Sequence, residues 1–329
     1  MKAIQIKRTG GPEVLEPVDL PTPKPGPGEV LVKTHAVGVS YAEILLRTGK
    51  YKWMPNLPFV PGNEMAGRVV DANGSKRLKN GQGVFLASWD IDFKGGLYAE
   101  YAVVPDKAPW VIPDNVDLDD AAAVFNYIVA LYLLRYGARG IDKNAVVVRG
   151  AAGGMGTALI DLCRLEGAKV IALASSPEKC AFALKHGATH VVNYKTENVV
   201  EAVRKLTDGH GVDIVFNHVA GDTFKDDLQM LGPFGMVISF AAIGGMPSRD
   251  VFVDLRANIN ASPAIRVVTG HTFDHMPKER ALVVEEAIAL LAAKKIKPVI
   301  GARLDLADAG RAHTLMESQQ LMGKILLKP

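Results

Sequence analysis

Gly150, Gly153, Gly154 and Gly156 follow an apolar run, Ala145 to Val148, and open into a helical pattern from Thr157 to Glu166. A strand that passes through glycines into a helix N-terminus is suited to holding phosphate. Without Cβ atoms the backbone approaches a ligand closely, and the unpaired N–H groups and the helix dipole face the anion. Tight turns also use glycine, so the cluster alone is unspecific. The order strand, glycines, helix, with a second apolar strand (Lys169 to Ala174) directly after, specifies a dinucleotide site. Gly153, Gly154, Met155 and Gly156 are expected to meet the diphosphate through their backbone.

The tip of the second strand selects the dinucleotide. An acid there takes the ribose hydroxyls of NAD, whereas a phosphorylated ribose needs hydroxyls and cations. Here the strand ends in Ser175-Ser176-Pro177-Glu178-Lys179. Ser175 and Ser176 can donate to a phosphate and Lys179 adds charge, so NADP(H) is favoured over NAD(H). Glu178 is the competing acid, but it lies one or two residues into the next helix and is expected to point away from the ribose. The same letters also encode a helix N-cap followed by proline, and both readings can hold together.

These groups need a doubly wound sheet to position them. Strands are expected near 145–149, 169–174, 190–193, 213–217, 235–240 and 264–269, with helices between and right-handed crossovers. Before them, residues 1–120 read as short β runs (Lys2 to Ile6, Glu29 to Val39, Ala66 to Asp71, Gly83 to Ala87, Tyr98 to Val104) separated by proline and glycine turns, the pattern of a compact antiparallel barrel. A long apolar helix, Ala121 to Tyr136, joins the two. A last helix, Lys278 to Ala293, leads to short strands near 299–304 and 324–327 that return to the first domain. The fold class is therefore α/β: a β-barrel domain (1–120 and 271–329) and a Rossmann parallel-sheet domain (121–270).

Composition excludes several function classes. The chain has 329 residues, 48% hydrophobic and 22% charged, with net charge +3, too small to argue for nucleic acid, and no basic run accompanies it. No apolar stretch reaches the ~18 residues of a membrane span and the N-terminus is no signal peptide, so cytoplasm is expected. The two cysteines, Cys163 and Cys180, fall in helical patterns and read as buried fillers.

The ordered motifs Gly10-Gly-Pro-Glu13, Pro25-Gly-Pro-Gly-Glu-Val30, Gly38-Val-Ser-Tyr-Ala-Glu43, Pro61-Gly-Asn-Glu-Met-Ala-Gly67 and Gly95-Gly-Leu-Tyr-Ala-Glu-Tyr101 continue through Gly150–Gly156, His190-Val-Val-Asn-Tyr194, Gly211-Val-Asp-Ile-Val215, Lys297-Pro-Val-Ile300, Ala312-His313 and Gly323-Lys-Ile-Leu326. With them the chain resembles the zinc-free quinone oxidoreductase (zeta-crystallin-like) branch of the medium-chain dehydrogenases/reductases. The resemblance implies a GroES-like barrel, a Rossmann domain, an active cleft between them, and a homodimer paired through the last Rossmann strand, here 264–269. At the zinc-ligand positions of alcohol dehydrogenases stand Ser40 and Asn63, so no metal is expected.

By the same resemblance Tyr194 joins Ser175, Ser176 and Lys179 around the 2′-phosphate. Asn126 and Val129 face the nicotinamide, Asn217 ends the fourth strand at a cofactor-binding position where relatives commonly have aspartate, and Val219 or Ala220 would lie under the ribose. Ala242, Ile243 and Gly244 pass the nicotinamide ribose. Lys324 either reaches a phosphate or is a surface lysine on an edge strand. Tyr41, with Ser40 beside it, and Tyr51 are the candidates for contact with a carbonyl acceptor. The expected activity is NADPH-dependent, metal-free reduction of a quinone. Reduction of an enone or alkenal double bond is the alternative, and a low-turnover NADPH-binding protein is a third possibility.

Overall fold

The computed structural model describes residues 1–91 and 96–329; Gly95 of the Gly95–Tyr101 motif lies outside them. The chain divides into two compact units, Met1–Phe125 with Ile288–Pro329, and Asn126–Ala287.

The first unit begins with a small antiparallel pair, β1 (Lys2–Gln5) and β2 (Glu16–Asp19). The long β3 (Glu29–Val39) runs into a short helix, α1 (Tyr41–Arg47), which the sequence did not announce beyond its capping signal, Ser40 with Glu43 three residues on. Then come β4 (Glu64–Asp71), β5 (Gly83–Ala87), β6 (Tyr101–Pro105) and β7 (Trp110–Val111). The expected helix 121–136 is broken. Helix α2 (Leu118–Ala122), capped by the Asp117 carboxylate on the amides of Asp119 and Asp120, stops before α3 (Phe125–Tyr132). A wide π turn, Leu133–Gly137, then closes with Ala138 N–H on Leu133 O at 2.7 Å. Arg266 donates to the Gly137 carbonyl at 2.6 Å, satisfying an acceptor at the end of that turn.

The second unit is a six-stranded parallel sheet: β8 (Ala145–Arg149), β9 (Lys169–Ala174), β10 (His190–Asn193), β11 (Val212–Asn217), β12 (Leu231–Ser239) and β13 (Ala264–Val267). Their order in space is β10-β9-β8-β11-β12-β13. The intervening helices are α4 (Gly154–Leu165), α5 (Pro177–Lys185), α6 (Val199–Leu206), α7 (Thr223–Met230) and α8 (Val251–Ala257). Helix α4 starts three residues earlier than the sequence suggested, so Gly154, Met155 and Gly156 form its first turn. Strands β8 and β11 sit side by side, yet the chain leaves them in opposite directions, and such a switch point opens a crevice at the strands' C-terminal ends.

Helix α9 (Pro277–Ala292) carries the unit boundary. The expected division at 270/271 moves to 287/288 because Phe273 stacks on Tyr132 with ring centres 3.8 Å apart, and Arg135 bridges Glu286 at 2.6 Å. Finally β14 (Ile300–Asp305), α10 (Ala309–Glu317) and β15 (Lys324–Lys328) rejoin the first unit. Its main sheet runs β14-β15-β3-β4-β5-β7, with β6 also on β3, and all pairs are antiparallel except β14 with β15. One apolar cluster joins Val32, Val37, Met65, Leu86, Leu306 and Leu327, all but excluded from water.

Candidate functional site

In the second unit the glycine loop is built by exclusion. Gly150 follows β8 at φ +59°, a left-handed conformation that side chains with a Cβ rarely adopt. Gly153 caps α4, and its N–H closes on Gly150 O at 3.0 Å. A Cβ on Gly156 would lie 2.5 Å from Gly150 O and 2.6 Å from the Ala151 backbone, so helix and loop touch with no room for a side chain. The amino terminus of a twelve-residue helix is thereby held at the switch point, with orphan N–H groups and a positive dipole end.

The structure brings Ser175, Ser176, Lys179 and Tyr194 together. Lys179 Nζ donates to Ser175 Oγ at 3.1 Å, and Ser176 caps α5 by accepting from Lys179 N–H at 3.3 Å. Tyr194 follows β10 and donates its N–H to Ala174 O at 3.0 Å, which sets its 37%-exposed ring beside the tip of β9. The helix cap and the cluster of hydroxyls with the Lys179 ammonium coexist in the same letters. Glu178 departs from expectation, because its carboxylate accepts the Ser176 hydroxyl, which holds it below the ordinary glutamate range. An acid therefore stands at the edge of this cluster.

Two residues expected at the cofactor are tied into the protein interior. Asn217 is fully buried. Its Oδ1 accepts from Val219 N–H (2.7 Å) and Ala220 N–H (2.9 Å), and its Nδ2 donates to Thr223 Oγ1 (2.8 Å) and to the Asp227 carboxylate. It shapes the turn after β11 that carries Val219 and Ala220. Asp227, itself at 0% exposure, pairs with Arg149 Nε at 2.6 Å, which ties that turn to the residue before Gly150. Lys324 is not a surface lysine. It is 4% exposed on β15, between β14 and β3, with its ammonium on the Glu64 carboxylate.

Ala242, Ile243 and Gly244 form the loop after β12, held by Ile243 N–H on His218 O (3.2 Å) and Gly244 N–H on Val219 O (2.8 Å). Asn126 is buried on α3, with Val129 half-buried one turn later on the same face. No sequence motif marks His218. It stands directly after β11, its ring against Gly150 and 5.7 Å from that of Phe240.

In the first unit, Ser40 is the N-cap of α1, and both its N–H (2.7 Å) and its hydroxyl (2.5 Å) donate to the Glu43 carboxylate. Glu43 also takes Asn63 N–H at 2.8 Å. Burial pushes the Glu43 carboxyl up, and burial raises Glu64 to about 7 against the pull of Lys324. Tyr41 opens α1, half-buried, and Tyr51 packs edge-on to the 40%-exposed Trp53 with ring centres 5.6 Å apart. A zinc ion does not fit these donors. Ser40 is committed to Glu43, Asn63 Oδ1 accepts from Ser88 at 2.9 Å, and Glu64 is paired. Among the described residues no group of three or more His, Cys, Asp or Glu side chains is arranged to hold a metal.

Residues 26–114 match the family profile described as the alcohol dehydrogenase GroES-like domain, and residues 154–285 match that of the zinc-binding dehydrogenases. The quinone oxidoreductase of Pseudomonas aeruginosa is 34% identical across 100% of this chain and 99% of its own. The chain belongs to the quinone oxidoreductase family. Within the family, the Escherichia coli quinone oxidoreductase, solved in complex with NADPH, superposes with a TM-score of 0.89 at 28% identity over 100% of both chains. A 2-haloacrylate reductase superposes at 0.81 and 27% identity, over 100% of this chain and 99% of the other. The family assignment carries the medium-chain dehydrogenase/reductase fold, a GroES-like domain and a Rossmann domain, and it makes the chain an oxidoreductase.

Proposed function

We propose that this protein is an NADPH-dependent quinone reductase that works without a metal ion. The observation that carries the reading is the Ser175, Ser176, Lys179 and Tyr194 cluster at the tips of β9 and β10, beside a helix N-terminus kept bare by Gly156. NADPH, when bound, supplies the hydride. The chain's own residues then have three tasks. The amides of Gly153, Gly154, Met155 and Gly156 hold the diphosphate, and the hydroxyls with the Lys179 charge hold the 2′-phosphate. Ala242, Ile243, Gly244, Asn126 and Val129 border the nicotinamide end. A quinone takes hydride without Lewis-acid help, since the charge spreads onto its oxygen, and the Tyr41 phenol donates a hydrogen bond to that oxygen. Ser40, fixed by Glu43, and Tyr51 shape the acceptor's surroundings. The working form is a cytoplasmic homodimer joined through the outer edge of β13, which pairs on one side only.

Likeness to a 2-haloacrylate reductase favours a second acceptor class, activated alkenes. The test is NADPH oxidation with 1,2-naphthoquinone, 1,4-benzoquinone and 2-alkenals. Turnover with the quinones is expected, turnover with alkenals alone replaces the first reading by the second, and tight NADPH binding with no turnover leaves a nucleotide-binding protein. Lys179→Ala is expected to weaken NADPH roughly tenfold or more while sparing NADH, as loss of one charged hydrogen bond would. Equal losses for both would remove the 2′-phosphate assignment.

A further inference from the structure

The imidazole of His218 occupies the switch point itself. A Cβ on Gly150 would lie 2.2 Å from its Cε1, so the ring rests on the first glycine of the loop, and Phe240 after β12 flanks it. Gly150 O accepts the Gly153 N–H, so the ring sits one residue's breadth from the α4 amino terminus. Its Nδ1 is buried without a partner. Burial first, and the neighbouring Arg149 charge second, push the ring down to about 4, so it is neutral at ordinary pH and carries one N–H. A buried N–H with no acceptor is rarer than a buried acceptor with no donor. The proton therefore belongs on Nε2, the nitrogen that is not sealed in.

We infer that His218 donates its Nε2–H to an oxygen of the dinucleotide's diphosphate, as a cofactor-binding residue beside the glycine loop. The inference rests on the dinucleotide reading above and adds a side-chain donor to a subsite otherwise made of backbone. A neutral donor stabilises the anion without requiring a cation to be buried beside Arg149.

The test is isothermal titration of the full chain with NADPH, 2′-phospho-ADP-ribose and adenosine 2′-monophosphate. His218→Leu keeps bulk and removes the donor, and His218→Asn keeps a donor. For His218→Leu, NADPH and 2′-phospho-ADP-ribose should each weaken roughly tenfold to hundredfold, the range of one hydrogen bond to a charged acceptor. Adenosine 2′-monophosphate, which has no diphosphate, should bind as before, and His218→Asn should recover most of the loss. Unchanged NADPH affinity in His218→Leu, or an equal loss for adenosine 2′-monophosphate, overturns the inference. So does a loss confined to NADPH, which would place the contact at the nicotinamide. Nitrogen NMR of the ¹⁵N-histidine wild-type protein needs no variant: the Nε2 signal should move when 2′-phospho-ADP-ribose is added, and a stationary signal overturns the inference. If wild type binds neither phosphorylated ligand, it is the underlying dinucleotide reading that fails.

Discussion

Glu178 opposes the charge it borders. Its carboxylate holds the Ser176 hydroxyl and is fully exposed, so solvent screens it, but it still adds a negative charge where a 2′-phosphate is expected. Glu178→Gln should tighten NADPH by about two- to fivefold at low salt and leave NADH unaffected, a difference that should fade as ionic strength rises. Fluorescence titration at two salt concentrations checks it. Gly156→Ala should do the reverse for every dinucleotide. The added Cβ meets backbone at 2.5 Å, so loop or helix must move, and affinity for NADPH and NADH should fall together by more than tenfold. At this scale residue type was informative about placement wherever backbone approach or exposure decides it: the glycine turn and the grouping of Ser175, Ser176 and Lys179 could be read directly. Asn217 and Lys324 could not, because what decides their roles is burial next to Asp227 and Glu64, partners ten and 260 positions away.

The turn after β11 depends on a buried ion pair between two elements. Arg149 ends β8 and Asp227 lies on α7, and Asn217 binds Asp227 while ordering Val219 and Ala220. Removing the carboxylate leaves a buried guanidinium without its counter-ion, a change that costs about 3–5 kcal/mol. Asp227→Asn should therefore lower unfolding free energy by about that amount, and pairing it with Arg149→Met should recover much of it; urea denaturation of the single and double variants measures both. Strands β8 and β9 were legible because parallel strands covered on both faces read as unbroken apolar runs. The break between α2 and α3 was not, since Ala121–Val124 gives no helix-stopping residue. The π turn at Leu133–Gly137 likewise takes its reason from elsewhere, the Arg266 donor. Helix α1 had a readable start in its capping box, but seven residues are too few for periodicity to register.

For the molecule as a whole, three of the buried groups show how stability responds to pH. His218 and His313 are pushed down to about 4 and about 3, mainly by burial. Each folds as the neutral ring, so its contribution is present above the unfolded value near 6.5 and is lost as pH falls toward the folded value. Glu64 has the opposite sign: raised to about 7, it contributes most below its unfolded value near 4.5 and loses that contribution as pH rises through 7. Between pH 5 and 6.5 the glutamate thus offsets one histidine. Glu64→Gln should steepen the rise of unfolding free energy with pH by up to about 1.4 kcal/mol per unit, the slope of one proton. Urea midpoints at pH 5, 6 and 7 would reveal an unchanged slope. The proposed homodimer is tested at the outer strand, where Val267 is 79% exposed. Val267→Asp should yield monomers in sedimentation velocity, and an unaltered mass would place any association elsewhere.

The first unit is interrupted by the second, and β15 lies in its sheet between β14 and β3, with Ile325 opposite Val39 and Leu327 opposite Val37. A ribosome making this chain therefore emits every strand of the dinucleotide unit before it emits the one that closes the other sheet. For nearly three hundred residues of synthesis, the Val37–Val39 end of β3 awaits the strand that pairs it. A nascent chain stalled just short of Lys324 would hold a finished nucleotide unit and an unsealed companion, the form a chaperone would be expected to seize.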